Sequence, residues 1–257
     1  SQEMEQTLAE WRVPIASPRN SEEVILSQVG PKLYEMFFKN YTRKQWRRDP
    51  KELDASVCGR IPIRTNRDDR YLSEKFQALP KDGYTKVFER MLANPKIKVL
   101  LNTDYRSVLP QVQFKQMIYT GPVDEYFDCC YGPLPYRSLR FEPETLEQEY
   151  FQPAMQVNYP NDHDFTRIVE IKHATGQKLP ATTIVREYPE DYTPGREPYY
   201  PIPAPDALAL YNRYRKRAET EKNVSFVGRL ATYRYYNMDQ VVGMALAEFE
   251  KLAAKPI

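Results

Sequence analysis

Nine glycines are scattered through 257 residues, and this spacing limits the chain more than any other feature. The least separated pair is Gly121 and Gly132. A dinucleotide-binding turn packs three glycines into one short loop, and a phosphate loop brackets its turn with two. Neither motif can occur here. Any nucleotide chemistry in this chain must be organised by side chains rather than by a glycine-rich loop of its own.

Composition excludes further classes. Lys plus Arg number 37 and Asp plus Glu 35, so the net charge of +2 gives no reason to expect nucleic acid or an anionic membrane as partner. Mean hydropathy is −0.70, and no apolar run approaches the length of a membrane helix. The start, Ser1-Gln2-Glu3-Met4-Glu5, is polar and acidic, unlike a signal peptide. Cys58, Cys129 and Cys130 are odd in number and two are adjacent, which argues against a disulfide framework and for a cytoplasmic location. His163 and His173 are the only imidazoles, so no two-histidine metal motif is available and no metal is expected. His163 sits in Asn161-Asp162-His163-Asp164, which reads as a polar turn.

Four segments differ in character. Residues 1–80 read as helical, with Glu3 to Trp11 and a second helix opening at Ser21 as N-cap. Gly30-Pro31 punctuates, Lys32 to Lys39 resumes helical spacing, and a loop near 54–67 carries Arg60 and Arg64. In 81–130, Tyr84 to Ala93 is a helix candidate, while Ile97 to Leu101 and Gln116 to Tyr119 are short strand candidates. Residues 131–203 are rich in Tyr, Thr and Val, with strands expected at Tyr136 to Phe141, Thr166 to Ile171 and Thr182 to Glu187. An antiparallel sheet is their natural assembly. In 204–257, Pro205 to Glu221 is helical by pattern, Val224 to Val227 a strand, and Met238 to Leu252 a closing helix.

One run stands out chemically. Phe37-Phe38-Lys39-Asn40-Tyr41-Thr42-Arg43-Lys44-Gln45-Trp46 places four aromatic rings and three cations together. Rings stack on bases and sugars, and cations hold phosphates. Such a surface suits a nucleotide-sugar; the same pattern also describes an amphipathic helix end whose rings are core. A second region, Gly228 to Asp239, lies between a strand and a helix start, where α/β proteins present backbone N–H groups to anions.

These two runs resemble the UDP-galactopyranose mutase family of flavoenzymes. So do Leu53-Asp54-Ala55-Ser56, Arg64 to Tyr71, Leu79 to Tyr84, Thr120 to Asp128, Tyr136 to Glu142 and Pro198 to Pro201, in the family's order, from about Pro18 onward. The resemblance implies an α+β / α/β flavoprotein fragment: a helical region, an antiparallel sheet, and C-terminal elements of an FAD-binding, Rossmann-like domain. On that view 81–130 and 204–257 belong to the FAD domain, and 1–80 and 131–203 to the substrate region. The family's glycine fingerprint precedes the part resembled here, so the chain is expected to be a C-terminal portion that alone holds FAD weakly.

The implied reaction interconverts UDP-galactopyranose and UDP-galactofuranose through an adduct at flavin N5, feeding cell-surface polysaccharide. Arg60 and Arg167 are the implied catalytic residues, neutralising the leaving pyrophosphate, with Gly59 as a hinge. Tyr41 is implied to stack on uracil beside Phe38 and Thr42, with Trp46 near the sugar. Tyr71, Tyr200 and Tyr235 are implied hydroxyl donors to the diphosphate, and Asn158 is a further substrate contact. Arg229, Tyr235, Asn237 and Met238 are implied to hold FAD. Ala231 stands where the family usually has Gly, Asn237 where Asp is common, and the spacing from Asn158 to Arg167 is one residue short. A homodimer, or dependence on an N-terminal segment, is expected. Two alternatives stay open: a flavin-free nucleotide-sugar-binding module, and another flavin oxidase of the superfamily.

Overall fold

A computed structural model describes residues 2–68 and 74–254 of the chain; Tyr71 lies outside the described residues. The chain opens with helix α1 (Gln2–Trp11) and helix α2 (Ser21–Leu33). The N-cap of α2 is Asn20, not Ser21: the Asn20 side chain accepts from the Glu23 amide at 2.9 Å. Ser21 is buried instead, and its hydroxyl donates to Asp54 O at 2.6 Å, tying the helix start to the loop beyond.

The expected break at Gly30-Pro31 is a kink inside α2. Gly30 adopts φ +78°, and a Cβ there would lie 2.0 Å from the Trp11 carbonyl oxygen, so α1 crosses directly over it. The helical path then continues through a π-turn (Tyr34–Phe38) into α3 (Lys39–Trp46), which ends at Arg47 in the left-handed region. Ile25, Val29, Tyr34 and Cys58 form the core of this region. The stretch expected as a loop holds a capped 3-10 turn (Pro50–Glu52) and a short helix, α4 (Ser56–Gly59).

Helices α5 (Gly83–Met91) and α6 (Tyr105–Val108) follow. Ile97 to Leu101 is not a strand. A short apolar run becomes a strand only when a neighbouring backbone completes its hydrogen bonds. The described neighbour for the C-terminal strand is instead β1 (Met117–Tyr119), leaving Leu100 and Leu101 exposed. After β1 comes the short helix α7 (Val123–Tyr126).

The chain then builds β2 (Tyr136–Leu146), β3 (Gln156–Asn158), β4 (Arg167–Val169), helix α8 (Lys172–Thr175), β5 (Thr182–Asp191) and β6 (Tyr200–Pro201). These strands form an antiparallel five-stranded sheet in the order β3-β4-β5-β2-β6. Its axis is the long β2–β5 pair, running from Arg137 opposite Asp191 to Leu146 opposite Thr182. Beside it, the fully buried Glu170 carboxylate accepts from the Phe151 and Gln152 amides and from Thr182 Oγ1.

The chain closes with α9 (Pro205–Ala218), β7 (Val224–Phe226) and α10 (Met238–Ala253). Strand β7 pairs in parallel with β1, Met117 opposite Val224 and Tyr119 opposite Phe226. Val123, Phe127, Leu134, Tyr136, Tyr214 and Tyr233 make the core that joins α7, α9 and the sheet. Among the described residues, no helix is long and apolar enough to cross a membrane, and no group of three or more His, Cys, Asp or Glu side chains could hold a metal ion.

Candidate functional site

Helix α3 is locked onto the antiparallel sheet by polar ties. Lys44 Nζ donates to Tyr159 O at 2.6 Å and to Asp162 O at 2.8 Å. Asn40 Nδ2 donates to Asn161 Oδ1, and Asn161 Nδ2 returns a bond to Met36 O. Arg137, buried on β2, donates through Nε to Gln45 O at 3.0 Å. The polar turn around His163 is therefore the seat of α3, and His163 itself stacks flat on Phe165.

Helical spacing puts Tyr41, Thr42, Gln45 and Trp46 on one face of α3. All four line a cavity of about 70 Å³. Its other walls are Val57, Cys58, Arg60 and Ile61 from α4 and the residues after it, Arg167 on β4, Tyr200 on β6, and Tyr235. Seven residues implied by the resemblance thus meet here: Tyr41, Thr42, Trp46, Arg60, Arg167, Tyr200 and Tyr235.

Trp46, Tyr200 and Tyr235 form an aromatic triad with ring centres 5.3–6.0 Å apart. Arg60 lies on the Tyr235 face, Cζ 4.1 Å from the ring centre, and donates to the Tyr235 hydroxyl at 2.9 Å. Arg229 donates to Tyr199 O at 2.7 Å and its Cζ lies 5.3 Å from both the Tyr200 and Tyr235 ring centres. Arg167 pairs with Glu187 across the sheet, Nη2 to Oε1 2.7 Å.

Electrostatics follow from this burial. Desolvation pushes the Tyr41 hydroxyl up, with Arg167 opposing, and pushes Tyr200 up to about 12. Both phenols stay protonated donors through the neutral range. Burial disfavours the Arg167 charge, but Glu187 outweighs it and holds the guanidinium more firmly protonated than usual. Burial also raises the Cys58 thiol, whose Sγ lies 3.6 Å from Thr42 Oγ1.

A second cavity of about 510 Å³ adjoins the first and shares Arg60 and Tyr235 with it. Asp54, Ser56, Leu208, Tyr236, Asn237 and Gln240 are among its walls. Asn237 caps α10, its backbone amide donating to Gln240 Oε1 at 2.9 Å. Met238 begins α10 but lines neither cavity and is 66% exposed. Ala231 is buried and borders a different depression, with Val123 and Tyr211, so its methyl does not enter the cavities around Tyr235.

Two implied substrate residues stand apart. Phe38 packs against the Ile25–Tyr34 core and lines a groove with Met4, Leu8 and Trp11. Asn158 is exposed, though its register position is directly opposite Arg167. Sequence reasoning missed Gln45, Cys58 and Glu187. Gln45 was detectable, being four residues after Tyr41 on the same helical face; Glu187 needed the strand register.

Chemically, an arrangement of this kind can hold an anion between cations and a ring against aromatic walls. Known proteins agree with this character. The sequence profile of the UDP-galactopyranose mutase family matches residues 36–235. A probable UDP-galactopyranose mutase of Klebsiella pneumoniae is 39% identical over 236 residues, covering 90% of this chain and 60% of that protein. A dTDP-fucopyranose mutase of Escherichia coli is 35% identical, with 90% and 63% covered. A UDP-galactopyranose mutase of Mycoplasma genitalium is 33% identical, with 90% and 62% covered. The chain therefore spans 60–63% of the length of these relatives. Among solved structures, a crystal structure of reduced UDP-galactopyranose mutase shares the fold at a TM-score of 0.67 and 16% identity, covering 99% of this chain and 74% of that one.

Proposed function

The chain belongs to the UDP-galactopyranose mutase family, and from that membership we propose that it carries the nucleotide-sugar site of an FAD-dependent isomerase acting on UDP-galactopyranose. The observation that supports this most is the convergence of Tyr41, Thr42, Trp46, Arg60, Arg167, Tyr200 and Tyr235 on one cavity. These residues come from α3, the residue after α4, β4, β6 and the segment before α10.

The roles follow from geometry and charge. Arg60 and Arg167 approach from different walls and offset the charge of a diphosphate as it leaves the sugar. A guanidinium suits this because it donates in a planar fork and keeps its charge. Tyr200, protonated at neutral pH, and Tyr235, held by Arg60, orient the phosphate oxygens. Tyr41 offers the base a ring at the α3 wall, and Trp46 shapes the sugar end. Phe38 supports α3 from behind rather than touching ligand, and Asn158 extends the Arg167 row toward solvent.

The residues present fit the ring end of a flavin. The 510 Å³ cavity is walled by Pro201, Pro203, Leu208 and Tyr236 on the apolar side and by Arg60, Asn237 and Gln240 on the polar side. Arg229, at the start of the same segment, has one nitrogen committed to Tyr199 O and donors remaining in its fork. Arg60, Asn237, Gln240 and Arg229 would hold a reduced flavin, which when bound would supply nucleophilic chemistry at the anomeric carbon. This chain's own residues hold UDP beside it. The division into a substrate side, 1–80 and 131–203, and a cofactor side, 81–130 and 204–257, is supported by β1 pairing with β7. A homodimer remains part of the proposal.

The test is calorimetric titration with UDP, then chromatographic assay of UDP-galactofuranose conversion with reduced FAD. UDP binding and conversion of the UDP-sugar in preference to a dTDP-6-deoxysugar are expected. No affinity for UDP would overturn the reading. Preference for the dTDP-sugar would move the chain toward the chemistry named for its Escherichia coli relative.

A further inference from the structure

Paired with Arg167 of the cavity wall is one buried carboxylate that the reaction does not call for. Glu187 lies on β5 directly opposite Arg167 on β4, so both side chains project to the sheet face that carries α3. The two side chains are 5% and 23% exposed, and Nη2 approaches Oε1 to 2.7 Å.

The contact is an ion pair without aligned hydrogen bonds. Glu187 Oε1 accepts no hydrogen bond, and the buried Arg167 Nε donates none. A carboxylate that only stabilised the sheet would engage the guanidinium as a fork, using both of its edges. Here one nitrogen, Nη2, meets one carboxylate oxygen, and Nε stays without a partner. The backbone beneath it is fixed, because the Thr166 amide and hydroxyl both donate to Glu187 O, at 2.9 and 3.2 Å. The strand register therefore keeps the Glu187 backbone in place opposite Arg167.

Charge gives this contact a consequence. Arg60 and Arg229 lie against the Tyr235 ring, Arg167 lines the same cavity as that ring, and Glu187 is the carboxylate paired with Arg167. A diphosphate entering this space is attracted by the cations and repelled by Glu187. In the proposed reaction UDP must leave the sugar, remain in place, and return to it. A site that held UDP with uncompensated arginines would resist the return step.

We propose that Glu187 is a positioning residue for Arg167: it aims the guanidinium into the cavity and tempers its charge, so that UDP is retained but not trapped. This rests on the diphosphate-binding reading given above. It adds a residue that acts through Arg167 and never touches the reacting atoms.

The test is calorimetric titration of UDP into the chain and two variants at low and moderate salt. Glu187→Gln keeps shape but removes the charge, so the UDP Kd should fall about tenfold and become more salt-dependent. Glu187→Asp keeps the charge but withdraws it by one methylene. Arg167 is then less restrained, and the Kd should rise about threefold. Opposite shifts from two conservative changes are not what a structural defect produces, since lost folding weakens binding in both. Should the Gln variant not fold, the rise in the Asp variant carries the test alone. Variants that fold but bind UDP like the parent, or shift in the same direction, overturn the proposal. A parent chain without affinity for UDP overturns the site reading itself, and this inference with it.

Discussion

Arg60 and Tyr235 are 175 residues apart in sequence and meet at the wall between two cavities, the guanidinium lying on the ring and bonding its hydroxyl at 2.9 Å. The contact joins the segment after α4 to the segment before α10. It also places one cation where both cavities can reach it.

This pairing separates two contributions. Tyr235→Phe keeps the ring under Arg60 and removes one neutral-to-charged hydrogen bond, so UDP affinity should fall modestly. Arg60→Ala removes the charge itself, and loss of a charge-assisted contact to the diphosphate should cost about 1.5–3 kcal/mol of UDP binding. Arg60→Lys should recover part of that loss, because the charge returns without the fork. Equal affinity for UDP in Arg60→Ala and the parent would remove Arg60 from the site.

Lys44 should matter through geometry. Its ammonium holds the carbonyls of Tyr159 and Asp162, and burial lowers its pKa, with Asp162 and Asp164 opposing. Lys44→Met retains the buried stem but leaves those carbonyls without the ammonium. We expect a loss of about 2 kcal/mol in chemical denaturation. UDP binding should weaken too, because α3 carries Tyr41 and Trp46. Unchanged stability would mean that water replaces the ammonium without penalty.

Much of this architecture was legible in the residues. Helical pattern located α9 and α10, the candidate helix at Glu3 to Trp11 matches α1, and the wealth of Tyr, Thr and Val located β2, β4 and β5. The aromatic and basic run of α3 pointed to nucleotide-sugar chemistry before any contact was known. Ile97 to Leu101 misled, because its apolar pattern suits a strand but pairing is decided by what lies beside it. Ser21 misled for a related reason: Asn20 and Ser21 are both competent caps, and the Asp54 carbonyl claims the Ser21 hydroxyl. Glu187 was invisible because its significance arises only when β4 and β5 align.

Gln45 offers a cleaner separation of stability from binding. Its side-chain Oε1 is buried in the cavity wall and accepts no hydrogen bond. An unpaired buried carbonyl costs free energy, so Gln45→Met should leave stability unchanged or raise it by up to about 1 kcal/mol. If the carbonyl serves a ligand donor, UDP affinity should fall in the same variant. Thermal melting with and without UDP reads both effects.

Acid stability should depend on Glu170. Burial alone would raise its pKa, but Thr182, the Phe151 and Gln152 amides and His173 outweigh burial and lower it from 4.5. A depressed carboxylate stabilises the fold above its unfolded value, and that stability is lost as pH falls through the folded value. Thr182→Val removes the 2.6 Å bond to Glu170 Oε1 and brings the folded value closer to the unfolded one. Acid unfolding, followed by circular dichroism, should then begin at a higher pH. At pH 7 the two proteins should differ by no more than that single bond, about 1.5–3 kcal/mol.

The π-turn at Tyr34–Phe38 makes this region unequally tolerant of changes in length. There the Lys39 amide reaches back to Tyr34 O, five residues away, so the turn holds one residue more than an α-turn requires. An in-frame deletion of a single codon within the turn can be absorbed by its relaxing to ordinary helix, with the facing of α3 preserved. The same deletion inside α3 has no slack to draw on. It would rotate every later side chain of the helix by about 100° and swing Trp46 away from Tyr200 and Tyr235. Two variants of equal length, missing residues only a few positions apart, should therefore part company: one folded with its cavity intact, the other without a cavity to bind anything.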